Sequence, residues 1–374
     1  MKNVLFLSSW YPSRVHNTLG NFVRYHALAS SKYNSINVLY IVADDKVKNY
    51  EIDYFKDHEI STTIVYFKRG IFKYLNYLIA FIKGFNFLTK KKSIKFDIVH
   101  MNIMHPGIWQ ALFLKWRFKI PFIVSENWHG FQDLSKFKLS LLELKLIELG
   151  FKFSSAICPV SQQLKISMLN ANYKANYKII PNVVDTNKFK IGISKITNKH
   201  FTFLHVSTLD DSIKNVSGII NAFEKLTHKN ITLKIIGDGS TNWILDKIKN
   251  LKTSNTVLVE NEKNHHEIAI EMQKANVFVL FSNIENLPLV LIESISCGTP
   301  FIATKVGGIP EMFHKDLGRL VDSGNIDQLV KEMNFMIENT NYFDSKEIRS
   351  HGLNNYSDKV VGKQFNDLYI EACS

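Results

Sequence analysis

Short, unbroken apolar runs punctuate this chain at intervals that leave room for one helix between most of them, and the pattern occurs twice. The first series stands at residues 4–8, 36–42, 98–101, 122–125 and 156–159, the second at 201–207, 232–237, 257–260, 277–281 and 301–303. A strand that is apolar at consecutive positions is buried on both faces, and such strands belong to parallel sheets covered by helices. Helical stretches lie at 20–31 and 107–118 in the first series and at 215–226, 243–250, 265–274 and 288–297 in the second. The polar stretch 186–199 separates the two series. Two α/β domains in series are expected, with a cleft between them, and ligands of open α/β sheets lie beyond the carboxyl ends of the strands.

Charge is spread unevenly over the two halves. Residues 1–190 hold 27 Lys and Arg against 12 Asp and Glu, whereas residues 191–374 hold 19 against 22. A basic first half fits an acidic partner such as an anionic membrane surface or a phosphorylated acceptor; a lysine-rich proteome is the plain alternative. No nucleic-acid-binding motif accompanies the charge, so nucleic acid is not the expected partner. Residues 68–95 mix Phe, Tyr, Leu and Ile with Lys68, Arg69, Lys73, Lys83, Lys90, Lys91, Lys92 and Lys95. That mixture fits an amphipathic surface helix near anionic lipid, and equally a core helix followed by a solvated basic loop. The apolar window 71–88 is interrupted by Lys73 and Lys83 and is not expected to span a membrane. The apolar run near the start is too short for a secretion signal, and Cys158, Cys297 and Cys373 have neither metal nor redox spacing. A cytoplasmic protein without structural disulfides is expected, peripheral on the inner face of the cell membrane if the basic half meets lipid.

The sharpest local pattern follows the run at 277–281. Ser282, Glu285, Asn286, Leu287, Pro288, Glu293, Gly298 and Pro300 stand there in a strand–loop–helix context. Pro288 suits the first turn of a helix and Gly298 its end, which places Glu285 in the preceding loop and Glu293 about one and a half turns inside. A helix N-terminus is a ready anion site, and two flanking carboxylates can accept hydrogen bonds from sugar hydroxyls. A nucleotide sugar offers that sequence of groups. Two unrelated Glu, one on the surface and one in a salt bridge, are the bland reading. The motif continues through Cys297-Gly298-Thr299-Pro300 to Gly307-Gly308-Ile309-Pro310-Glu311. At this point the chain resembles the family 4 retaining glycosyltransferases of GT-B fold, in which two Rossmann-like domains with parallel sheets face a cleft. The likeness is densest over residues 201–310.

The resemblance implies roles by position. Glu285 is similar to the Glu that touches the donor sugar, and Glu293 to the one that holds the ribose hydroxyls. Asn286 and Leu287 match the segment that meets the sugar and diphosphate, and Gly237 and Asp238 match a glycine turn after a strand. Lys214 matches a cation that stabilises the leaving diphosphate, while Ser207 and Thr208 stand where the family has Gly and Arg. Fixed cations stabilise charge developing on a leaving group, so Thr208 marks a departure. In the first half, Gly20 and Asn21 match a loop near the diphosphate, residues 97–100 resemble a common Asp-Val-Val-His strand end, and His129 lies two residues beyond the position where one variant of the family carries a His. The implied domains are 1–188, rejoined by a helix at 356–374, and 189–355. The implied activity is metal-independent transfer with retention, without a cofactor, from a UDP-sugar before a GDP-sugar, to a glycan or polyprenyl-diphosphate-linked acceptor. A degenerate, non-catalytic subunit is the competing expectation.

Overall fold

The computed structural model describes residues 1–17, 19–134, 137–192 and 200–374. The chain divides into two compact units, one of Met1–Val183 with Asp358–Ser374 and the other of Val184–Ser357. Of the polar stretch 186–199, residues 193–199 lie outside the described residues.

The first unit is built on seven strands: β1 (Asn3–Ser8), β2 (Ser35–Ala43), β3 (Tyr50–Asp57), β4 (Ile60–Phe67), β5 (Ile98–Asn102), β6 (Phe122–Glu126) and β7 (Ala156–Pro159). Their order is β3-β4-β2-β1-β5-β6-β7. Val4, Leu5, Phe6 and Leu7 of β1 are fully buried, as a strand covered on both faces requires. Every pairing is parallel except β3 with β4, a hairpin turned by His58 at φ 55°. β3 alternates half-buried and exposed residues, and its Glu51, Asp53 and Lys56 break any apolar run; β3, β4 and, in the second unit, the strand Gly318–Val321 are the strands not expected from the sequence. The unit closes with the helix Asp358–Cys373, which packs beside the helix Asn21–Ser31. His100 fastens it to the sheet: Nδ1 lies 2.7 Å from the Tyr369 hydroxyl and Nε2 2.7 Å from Ser125 Oγ.

The second unit has six parallel strands, β8 (Phe201–Ser207), β9 (Ile231–Gly237), β10 (Thr256–Asn261), β11 (Val277–Leu280), β12 (Phe301–Thr304) and β13 (Gly318–Val321), in the order β10-β9-β8-β11-β12-β13. Helices Ile326–Glu338 and Ser345–Tyr356 follow. The Arg349 guanidinium donates to the carbonyls of Thr186, Phe189 and Ser296, fixing the second of these helices to the unit's first segment. In each sheet the order reverses once, between β1 and β5 and between β8 and β11. Crevices for ligands open at the carboxyl ends of strands flanking such a reversal.

Candidate functional site

The carboxyl ends of β8 and β11 carry the turn 207–215 and the loop 281–288. The turn is set by its own side chains. Asp210 caps the short helix Asp211–Lys214 at Ser212 N (3.0 Å), and Asp211 accepts from Ser217 N and Oγ at 2.7 and 2.6 Å. Asn215, at φ 48°, ends that helix and begins the next, Val216–Glu224. The loop is stitched to this turn: Asn283 donates from its backbone to the Ile213 carbonyl (2.7 Å) and from Nδ2 to the Ser212 carbonyl (3.0 Å). From the other side, Gly308 N donates to the Asn286 carbonyl at 2.6 Å. Gly307 has φ 56°, and a Cβ there would fall on the Glu285 carbonyl. Only glycine allows that approach without strain.

These constraints bring Lys214 and Glu285 together. Lys214 Nζ lies 2.6 Å from Glu285 Oε1, which also accepts from Ser282 Oγ at 2.8 Å. The two side chains are 18% and 8% exposed, so the pair is partly withdrawn from water and its charges are weakly screened. Glu293 sits in the helix Leu289–Ser296, 3% exposed, with Oε1 3.5 Å from His265 Nδ1. Pro288 is the residue before this helix rather than part of its first turn, and Gly298 follows its end at φ 68°. The leading N–H groups of a helix lack intrahelical acceptors, and here they begin at Leu289, directly after Asn286, Leu287 and Pro288.

Thr208 is exposed at the end of β8. The register sets Ser207 beside Gly237, where a Cβ would fall on the Ser207 carbonyl, and half-buried Asp238 follows. Ser207 is used inward: its Oγ lies 2.8 Å from His205 Nε2 and accepts from Leu209 N at 3.1 Å. Burial lowers His205 to about 4. The neutral ring therefore donates from Nδ1 to the Val279 carbonyl at 2.9 Å and accepts at Nε2 from the Ser207 hydroxyl. Sequence reasoning gave no role to Ser282, His265 or His205; nothing local in the sequence links them to partners that fold beside them.

The remaining candidates belong to the first unit. Gly20 precedes the helix Asn21–Ser31 with φ 76°, and Asn21 opens that helix. His129 begins the short turn His129–Gln132, exposed, with its ring centroid 5.7 Å from that of Phe137. Just before it, buried Glu126 accepts from Met104 N (2.9 Å), Asn127 N (2.9 Å) and Trp128 N (2.8 Å). Burial pushes this carboxyl up to about 7, against the lowering effect of those three bonds. Its geometry is that of a brace between the ends of β5 and β6. Among the described residues no three His, Cys, Asp or Glu side chains converge as metal ligands would.

Two family models match the chain: glycosyl transferases group 1 over residues 186–352 and glycosyltransferase family 4 over residues 38–188. N-acetyl-alpha-D-glucosaminyl L-malate synthase of Bacillus anthracis is 26% identical over 279 residues, 72% of this chain and 71% of that one. The sucrose-phosphate synthase of Thermosynechococcus elongatus has a similar structure, with a TM-score of 0.76 at 16% identity over 99% of both chains. So does Anabaena HepE, solved with UDP-glucose, with a TM-score of 0.74 at 18% identity over 99% of this chain and 100% of that one. Those two likenesses establish the fold, two parallel-sheet Rossmann-like units of GT-B type, and with matches that together run from residue 38 to residue 352 the chain belongs to glycosyltransferase family 4.

Proposed function

We propose that this protein transfers a sugar, with retention of anomeric configuration, from a nucleoside diphosphate donor to a glycan or polyprenyl-diphosphate-linked acceptor in the synthesis of cell-surface polysaccharide. The observation that carries the reading is the Lys214–Glu285 pair at the reversal of the second sheet, beside the N-terminus of the helix Leu289–Ser296. In this reading Lys214 and the helix N–H groups take up charge on the departing diphosphate without a metal ion. Glu285 accepts from a sugar hydroxyl, and Glu293, oriented by His265, holds the ribose diol. Gly237 and Asp238 line the nucleotide, and Gly20, Asn21 and His129 keep the diphosphate- and acceptor-side roles that the resemblance implies. The acceptor oxygen bonds to the anomeric carbon on the face from which the diphosphate oxygen leaves, and the acceptor proton passes to that oxygen. UDP is the favoured nucleotide, supported by the HepE complex with UDP-glucose, and GDP the second. A polyprenyl-linked acceptor would bring this cytoplasmic protein to the anionic inner face of the cell membrane.

The second reading is a non-catalytic subunit that binds sugar nucleotide or scaffolds a partner, favoured by Thr208 where the family has Arg. Release of UDP or GDP from their sugars by the purified protein separates the two. Turnover that disappears in Glu285→Ala supports the enzyme; binding without turnover, for every donor and acceptor supplied, supports the subunit. An NMR assignment of the product's anomeric configuration tests retention.

A further inference from the structure

The first unit carries an apolar surface that its own core does not use. The helix Lys73–Asn86 buries Ala80, Phe81, Gly84 and Phe85. Along another line of the same helix Leu75, Leu78 and Ile82 recur at intervals of three and four, and they are 52, 40 and 41% exposed. That spacing makes a single stripe on a helix surface. Ile71 and Phe72, just before the helix, are 95 and 69% exposed and extend it. The helix Ile108–Phe118 packs alongside: Phe81 meets Trp109 and Phe113 at centroid distances of 5.2 and 6.3 Å. It adds Phe113, Trp116 and Phe118, between 40 and 49% exposed. Apolar patches of this kind mark docking surfaces.

Charge decides what docks there. Residues 60–125 hold eleven Lys and Arg and a single acidic residue, Asp97. Lys68, Arg69 and Lys73 stand at one end of the stripe, Lys90, Lys91, Lys92 and Lys95 beyond the other, and Lys115, Arg117 and Lys119 on the neighbouring helix. A second copy of the chain docked symmetrically would set this cationic rim against itself. A bilayer containing anionic lipid meets both features, apolar side chains entering the acyl boundary while the ammonium groups remain among the headgroups. No helix among the described residues is long and apolar enough to cross a membrane. We infer that the helices Lys73–Asn86 and Ile108–Phe118 form an interfacial docking face that inserts its apolar stripe into an anionic bilayer. This rests on the reading of a membrane-linked acceptor given above, and adds that apolar insertion, not charge alone, holds the protein there.

The test is co-sedimentation with phosphatidylcholine vesicles with and without phosphatidylglycerol, at low and high salt. Wild type should pellet with the anionic vesicles and keep part of that binding at high salt, because insertion is not screened. The combined variant Leu75→Gln, Leu78→Gln, Ile82→Gln should lose binding by roughly tenfold or more at either salt. Lys90→Gln with Lys91→Gln, Lys92→Gln and Lys95→Gln should lose the preference for anionic lipid and leave the salt-resistant part. Recovery of wild type in the supernatant with both vesicles, an apolar variant that binds like wild type, or a wild-type dimer split by that variant with no vesicle binding would each overturn the inference. Donor hydrolysis measured without vesicles should be the same in all three proteins. Absence of vesicle binding in wild type with hydrolysis intact therefore sinks the docking face alone, and absence of hydrolysis in wild type sinks the enzymatic reading instead.

Discussion

Both units of this chain are built on sheets that are parallel apart from the edge strand β3, with one reversal of strand order, and both keep polar side chains buried near their strand ends. They differ in what those side chains touch. In the first unit His100 lies between Ser125 and Tyr369, His26 bonds the Pro181 carbonyl at 3.1 Å, and Glu126 gathers three backbone N–H groups. Each joins one piece of scaffold to another. In the second unit His205 is such a brace as well, but two buried carboxylates instead face a partly buried side chain of another element, Glu285 with Lys214 and Glu293 with His265. A buried group bonded to backbone, or to hydroxyls of the elements packed around it, already has its partners and is a brace. A buried carboxylate facing a flexible cation can exchange that cation for a ligand. The His100 strand end, which resembles a family motif, belongs by this criterion to the scaffold.

Four substitutions bear on that comparison. Glu285→Ala should lower turnover by about three orders of magnitude, the scale seen when one transition-state partner is removed, with circular dichroism unchanged; near wild-type turnover would take Glu285 out of the site. His100→Ala should do the reverse. It leaves a cavity and strands the Ser125 hydroxyl, although the Tyr369 hydroxyl keeps Ser30 Oγ at 3.3 Å, for a loss of roughly 3 kcal/mol in urea unfolding, while turnover per folded molecule holds; a kinetic defect at full stability would break the contrast.

The third concerns pH. Because the folded pKa of Glu126 is raised from 4.5 to about 7, the native state binds its proton more tightly than the unfolded state does. Its contribution is fully favourable below about 4.5 and is lost as pH rises through about 7, by a few kcal/mol in order of magnitude. His26, lowered from 6.5 to about 4, acts in the opposite sense and costs stability as pH falls through that range. Glu126→Gln should remove the first trend and leave the second, read from unfolding midpoints between about pH 4.5 and about pH 8. An unaltered profile would remove Glu126 as its source. The smallest effect belongs to Glu293→Ala. A ribose contact is made in ground and transition states alike, so free nucleotide should bind about tenfold more weakly with little change in kcat. Unchanged nucleotide affinity would end the ribose assignment.

Most of the parallel strands were legible because burial on both faces writes itself as a continuous apolar run; β4, where Ser61, Thr62 and Thr63 interrupt the run, and the short β13 with its Arg319 escaped that reading. β3 was not legible either, since an edge strand with one face in water alternates charged with apolar residues. Pro288 and Gly298 marked the bounds of the helix Leu289–Ser296 to within a residue and so located Glu285 in its loop and Glu293 in its interior. The ion pair with Lys214 was not legible from spacing, because its members are 71 residues apart and meet only through the adjacency of β8 and β11. The same holds for His265 beside Glu293. Ser207 reads in the sequence as a departure from Gly; its inward bond to His205 exists only once β8 is packed.

The central claim is that the Lys214–Glu285 corner of the second unit receives a nucleoside diphosphate. Calorimetric titration of wild type and Lys214→Ala with UDP and with GDP tests it most directly. One nucleotide should bind per chain, UDP before GDP, and more than about tenfold more weakly in Lys214→Ala, since a charge-assisted contact to the diphosphate is removed. Saturable binding of neither nucleotide, or equal affinity in the two proteins, would contradict it.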